Sequence, residues 1–265
     1  MIYEKLNSRA QFSSSKLVVK EEEIRVSIVI PTLNEAKNLP FVLPRIPKWV
    51  HEVIIVDGCS TDDTVEIAKS LIPDIRIVME SRAGKGVALR TGFKASTGNI
   101  ILMMDADGSM APEEIPIFVG ALMAGADFVK GSRFLQGGGT NDMELYRYLG
   151  NWGLLTITRR LFGGKYSDLC YGYCAFWADA LPKLDLRSDG FEIETEMNVR
   201  ALKTRLKVVE VPSFEYERIH GSSNLNAVRD GFRILNTLIN EYFDFERRKQ
   251  TSTEVSQKNI AIVND

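Results

Sequence analysis

The chain has 265 residues, with 33 Lys and Arg against 35 Asp and Glu, two His and three Cys. That length fits one large domain or two small ones, and the near-balanced charge argues against a nucleic-acid binder that relies on a basic surface. Two histidines are too few for a His-based metal site. Cys59, Cys170 and Cys174 lack zinc-finger spacing, and their odd number in a chain without a signal-peptide pattern speaks against structural disulfides. No apolar run approaches the roughly 18 residues of a membrane span, so a cytoplasmic protein is expected.

Residues 1–23 are rich in Ser, Lys and Glu and predict a poorly ordered lead, with a short extra strand near Leu17 to Val19. Val26 to Ile30 predicts a first strand, which Pro31-Thr32-Leu33-Asn34-Glu35 ends. A helix through Asn38, Leu39, Val42 and Leu43 follows, stopping before Pro47. Val53 to Val56 predicts a second strand, closed by Asp57-Gly58-Cys59-Ser60-Thr61-Asp62-Asp63. Ser60 or Thr61 is placed to cap the helix from about Asp63 to Leu71. Ile75 to Val78 predicts a third strand, and Gly84-Lys85-Gly86 opens a helix to Ala95.

Asn99 to Met104 then runs into Asp105-Ala106-Asp107-Gly108-Ser109. Five consecutive apolar residues, Ile100 to Met104, predict a strand buried on both faces of a parallel sheet. The β-α-β-α alternation predicts an α/β fold with a mostly parallel central sheet flanked by helices. Such sheets place ligands at the carboxyl ends of their strands. Glu35, Asp57, Lys85, Asp105 and Asp107 follow four successive strands and so gather at one crevice. Asp105 and Asp107, two hard oxygen ligands at i and i+2, suit Mg²⁺ or Mn²⁺ carrying a phosphorylated substrate. A lysine in a Gly-flanked turn at a helix start suits a diphosphate, because free backbone N–H groups and the helix dipole assist it. Gly84-Lys85-Gly86 lacks the Walker spacing, and no Gly-x-Gly-x-x-Gly follows the first strand, which argues against a dinucleotide fold.

The second half predicts a helix from Pro112 to about Ala124, a strand over Asp127 to Arg133, and a flexible loop at Gly137 to Asn141. Helical spacing continues over Met143 to Leu161. Asp168 and Gly172-Tyr173 fall in a loop before a strand at Cys174 to Ala178. A helix runs from the Phe191 to Glu196 segment to about Thr204, with its acidic residues suited to the helix start. A short strand spans Val208 to Val211. Ala227 to Phe243 forms a last amphipathic helix, suited to packing on the domain or to lying on a membrane surface.

Pro31 to Glu35, Val56 to Asp62, Gly84-Lys85-Gly86 and Asp105-Ala106-Asp107 together resemble the successive signatures of family 2 glycosyltransferases with the GT-A fold. Gly131-Ser132-Arg133, the Arg147 helix, Asp168 with Gly172, Gly190 to Ile193, and Arg218 to Asn224 are most similar to the branch of polyprenyl- and dolichyl-phosphate hexose synthases. The resemblance implies one GT-A domain over residues 24–245, with a nucleotide-sugar half at 24–133, an acceptor half at 134–245 and a polar tail at 246–265. It implies a metal-dependent inverting transfer of a hexose from a UDP- or GDP-linked donor to a polyprenyl phosphate, at the cytoplasmic face of a membrane. Donor contacts fall to Pro31, Leu33, Glu35, Asp57, Lys85, Asp105, Ala106 and Asp107. Either Arg218 or His220 serves the diphosphate, since one extra residue separates Arg218 from Gly221. Asp105 and Asp107 hold the metal. Arg133 and Arg147 hold the acceptor phosphate, guanidinium matching phosphate bidentately. A hydroxyl acceptor on a glycan or small molecule is the alternative, with Asp168, Glu192 or Glu194 as base. A catalytically silent nucleotide-sugar-binding protein is the alternative of another class.

Overall fold

The computed structural model describes residues 24–222, 226 and 228–245. The lead with its extra strand, the polar tail and Asn224 lie outside the described residues. Four parallel strands, β1 (Val26–Thr32), β2 (Glu52–Asp57), β3 (Arg76–Met79) and β4 (Ile100–Met103), come from the first half. β5 (Phe128–Ser132), β7 (Cys174–Trp177) and β8 (Val208–Pro212) complete a seven-stranded sheet of order β3-β2-β1-β4-β7-β5-β8. β7 is antiparallel to both neighbours, pairing Leu102 with Ala175 and Val129 with Ala175 across its two edges. A second, two-stranded sheet pairs β6 (Gly139–Thr140) with β9 (Phe214–Glu215) in parallel. The predicted flexible loop at Gly137 to Asn141 therefore contains a strand, paired with residues more than seventy positions away.

Side chains alternate across the strands, so the apolar runs feed two cores. Ile28, Ile30, Ile55 and Leu102 pack with α1 (Leu39–Val42), α2 (Thr64–Leu71) and α4 (Ile115–Met123). Val29, Val56, Ile101 and Met103 pack on the other face with α3 (Lys85–Ala95), α6 (Leu181–Leu184) and α7 (Ile193–Lys203). Ile100 to Met104 is buried throughout. Gly92 brings α3 hard against the sheet: a Cβ there would lie 2.4 Å from Val29 Cγ1. α5 (Leu145–Phe162) packs outside the main sheet through Leu155, against Tyr166 and Leu169. A last helix, α8, spans 228–245, buries Ile234 and Leu238, and meets α5 where Tyr242 contacts Phe162.

Two local expectations change. The α2 start is capped by Asp62, whose Oδ1 accepts from the Thr64 amide at 3.1 Å, while Ser60 turns back to Asp57. The start of α3 is not an open anion site. The Asp189 carbonyl accepts from the Gly86 and Val87 amides at 2.9 and 3.2 Å. Gly84, at φ 127°, has no room for a Cβ, which would sit 2.1 Å from that carbonyl. Arg90 fastens the same loop through the Arg187 carbonyl and the Asp189 carboxylate.

Candidate active site

The crevice is built at the carboxyl ends of β1 to β4. Asp105 follows β4 and is held by Lys85, whose Nζ lies 2.7 Å from Oδ1 and 2.9 Å from Oδ2. Glu194 on α7 takes the same ammonium at 2.8 Å. Burial opposes the charge on Lys85, but Asp105 and Glu194 outweigh it and hold its pKa above the usual lysine value. Burial, reinforced by Asp107 and Glu194, keeps the Asp105 carboxyl above its ordinary range despite Lys85. A Cβ at Gly172 would lie 2.5 Å from Glu194 Oε1, so this glycine lets the loop before β7 approach the pair.

Asp107 is turned the other way. Its Oδ1 accepts from the Ser109 amide and hydroxyl at 2.9 and 2.6 Å. Its Oδ2 pairs with Arg218 at 2.7 Å. Arg218 also reaches Glu35 Oε1 at 3.2 Å, while Asn38 donates to Glu35 Oε2 at 2.5 Å. Burial raises the Glu35 carboxyl against these partners. The 216–220 segment lies across the Asp107 turn, with the Tyr216 amide on the Ser109 carbonyl and the Ile219 amide on the Asp107 carbonyl. The structure thus brings Arg218 to the carboxylates. The His220 ring meets Phe41 in a tilted contact at 5.8 Å, and its carbonyl accepts from Asn38. Asn38 was missed by motif reading, although its spacing of three from Glu35 is one helical turn and marks it as a partner.

The remaining expected residues divide. Leu33 is exposed beside β1, Pro31 is half-buried in it, and Ala106 is buried between the two carboxylates. Asp57 stands at the end of β2 but points inward, accepting from the Ser60 hydroxyl at 2.6 Å, the Ser60 amide at 2.8 Å and Thr32 at 3.2 Å. Arg147 is part-exposed on the first turn of α5, on the Asp142 carbonyl at 3.0 Å. Glu192 accepts from the Gly190 amide at 3.0 Å, and its Oε2 is buried with no hydrogen-bond partner among the described residues.

Arg133 and Asp168 are bound to each other: Nε and Nη2 donate to the Asp168 carboxylate at 2.7 and 2.9 Å, and Nη1 reaches Glu215 at 3.0 Å. The side chains are 1% and 0% exposed. Burial favours the neutral acid at Asp168, but Arg133 outweighs it and holds the pKa below the ordinary value. Glu215, the third member, carried no local signal. Burial pushes the thiols of Cys170 and Cys174 up to about 12, which removes both as nucleophiles.

The donor set fits a hard divalent cation. Two carboxylates one residue apart offer oxygens that are met here by an ammonium and a guanidinium. Among the described residues no group of three His, Cys, Asp or Glu side chains forms a closed metal cage. A cation held by Asp105 and Asp107 would need its remaining ligands from outside these side chains, as Mg²⁺ sites with few protein ligands ordinarily do.

Sheet order and crevice together are those of a GT-A glycosyltransferase. The chain belongs to glycosyl transferase family 2, whose model matches residues 27–185. It is 35% identical over 215 residues to the polyprenol monophosphomannose synthase of Mycolicibacterium smegmatis, covering 76% of this chain and 81% of that one. It is 32% identical over 225 residues to the undecaprenyl-phosphate mannosyltransferase of Micrococcus luteus, covering 80% and 92%. Among solved structures, glucosyl-3-phosphoglycerate synthase from Mycobacterium tuberculosis, in complex with phosphoglyceric acid, superposes with a TM-score of 0.68 at 25% identity, covering 83% of this chain and 80% of that one. A complex of the same enzyme with Mn²⁺, UDP and glucosyl-3-phosphoglycerate gives a TM-score of 0.65 at 23% identity, with the same coverage.

Proposed function

We propose that this glycosyltransferase moves a hexose, with inversion, from a nucleoside diphosphate sugar to a polyprenyl phosphate, and that it requires Mg²⁺ or Mn²⁺. The observation that carries this reading is the pair Asp105 and Asp107 at the end of β4, each facing a protein cation at hydrogen-bond distance. Two relatives named for mannose transfer to polyprenyl phosphates support the acceptor and make mannose the first sugar to test.

The residues divide the work. Glu35 and the β2 turn flank the donor's nucleoside. A divalent cation held by Asp105 and Asp107 supplies Lewis-acid stabilisation to the leaving diphosphate. Arg218 and Lys85 add positive charge where that negative charge develops. Arg147 receives the acceptor phosphate, with Arg133 positioning the loop behind it. A phosphate acceptor is ionised at neutral pH, so its oxygen attacks the anomeric carbon as the bond to the diphosphate breaks, and no protein base is needed.

The surface suits a lipid-linked acceptor. Leu145, Leu149 and Trp152 stand exposed on α5 beside Arg147, and Val228, Phe232 and Phe243 on α8. Among the described residues no helix is long and apolar enough to cross a membrane. These apolar faces provide peripheral contact with a bilayer. The test is transfer from radiolabelled UDP- and GDP-sugars to polyprenyl phosphate, with Mn²⁺ or Mg²⁺ and an EDTA control. A labelled, organic-extractable product that EDTA abolishes supports the reading. Metal-dependent donor hydrolysis with no lipid product overturns the acceptor assignment and points to a hydroxyl acceptor, for which Glu192, with its unpartnered oxygen, is the base to mutate.

A further inference from the structure

The two crevice carboxylates have counter-ions of different kinds. Lys85, on Asp105, rises from the rigid α3 and is gripped from behind by Glu194 of α7. Withdrawing it would strand Glu194, only 11% exposed, without its partner. Arg218, on Asp107, stands on the segment between β9 and α8, and its side chain is 21% exposed. That segment is pinned by backbone bonds from Tyr216 and Ile219 and by the His220 carbonyl, none of which involves the guanidinium. The arginine can therefore change partner while its backbone stays in place. Glu35 holds its other arm at 3.2 Å and offers a pivot.

We propose that Arg218 competes with the divalent cation for Asp107, and that the donor's diphosphate ends the competition by drawing the guanidinium onto its own oxygens. The proposal rests on the reading above that Asp105 and Asp107 hold the metal. The argument is one of charge. Asp107 Oδ2 already accepts a charge-assisted bond at 2.7 Å, with its Oδ1 committed to Ser109. A cation seeking Oδ2 must break that bond and then sit beside a guanidinium of like sign. A diphosphate supplies the arginine with a bidentate partner and the cation with further oxygen ligands in one step. Metal and nucleotide then bind synergistically, and the coupling is the same viewed from either ligand.

Mn²⁺ binding followed by the EPR signal of the free ion tests this, on the whole chain with and without UDP or GDP, corrected for the metal–nucleotide complex in solution. In the unmodified enzyme nucleotide tightens Mn²⁺ binding. Arg218→Gln tightens Mn²⁺ binding without nucleotide by about tenfold, the equivalent of one charge-assisted hydrogen bond, and weakens the nucleotide's effect. Arg218→Lys, which keeps the positive charge, stays near the unmodified affinity. An Arg218→Gln enzyme that binds Mn²⁺ alone no more tightly than the unmodified one overturns the proposal. Absence of Mn²⁺ binding to the unmodified enzyme even with nucleotide overturns the metal reading itself, and this proposal with it.

Discussion

The crevice at the ends of β1 to β4 and the packed region around β5 and β7 use charge in opposite ways. At the ends of β1, β3 and β4, Glu35, Lys85 and Asp105 keep an edge toward the crevice, with side chains 12 to 28% exposed. Around β5 and β7, Arg133, Asp168 and Glu215 close on one another and leave almost nothing accessible. The difference follows from strand direction. Parallel strands deliver their exits to one edge, where polar residues share a solvent-filled cleft. β7 runs the other way, so the loop that enters it must return to that edge and be anchored there. Arg133 and Asp168 are spent on the anchoring. The same contrast recurs beneath α8, where Arg200 is enclosed by Glu196 and Glu241.

Substitutions on the two sides should separate chemistry from stability. Asp107→Ala should lower turnover by about a thousandfold, several kcal/mol of transition-state stabilisation, with the fold intact by circular dichroism. Normal activity of that variant with added Mn²⁺ would place the metal elsewhere. Asp168→Asn should do the reverse, costing about 3–5 kcal/mol in urea unfolding because Arg133 loses its buried partner, while Mn²⁺ binding survives. A variant equally stable but inactive would restore Asp168 to the chemistry and break the contrast. Arg147→Ala should raise KM for the lipid acceptor by about tenfold or more, one charged hydrogen bond, and leave the donor KM unmoved. The smallest effect belongs to neither region's charge cluster. Glu52, held down to about 2 against burial by Ser27, Arg76 and Thr97, sits at the start of β2. A depressed carboxylate stabilises the fold above its ordinary pKa of 4.5 and loses that contribution as pH falls toward 2. Glu52→Gln should therefore cost about 1 kcal/mol at neutral pH and nothing at pH 2, read from unfolding curves at the two pH values.

Local pattern was enough for the first four strands, because each is an apolar run stopped by a polar turn. Strand-end position also gathers Glu35, Lys85, Asp105 and Asp107 at one crevice, whereas the resemblance left Arg218 and His220 as alternatives and only the three-dimensional structure sets Arg218 on Asp107. Local pattern misread what depends on distant chain. Gly84-Lys85-Gly86 has the form of an open anion site, but a carbonyl a hundred residues downstream fills it. The resemblance sets Arg133 on an acceptor phosphate, and nothing local shows its ion pairs, because Asp168 and Glu215 lie 35 and 82 positions away. The strand at Gly139 shows no alternation of its own and exists through its pairing with Phe214. Ser60 and Thr61 both have capping chemistry, and only the turn around Asp57 decides that Asp62 does the capping.

The strand order also dictates how the chain emerges from a ribosome. β1 to β4 can zip together as soon as they are made, each beside a strand already present. β5 cannot, because both of its neighbours, β7 and β8, are synthesised later. For the interval in which residues 133–173 are being added, a nascent chain carries the bare edge of β4 and an unpaired β5, the kind of edges that invite aggregation. Chains stalled before Cys174 are thus the ones most in need of a chaperone, and completion of β7 is the moment at which the two halves become one sheet.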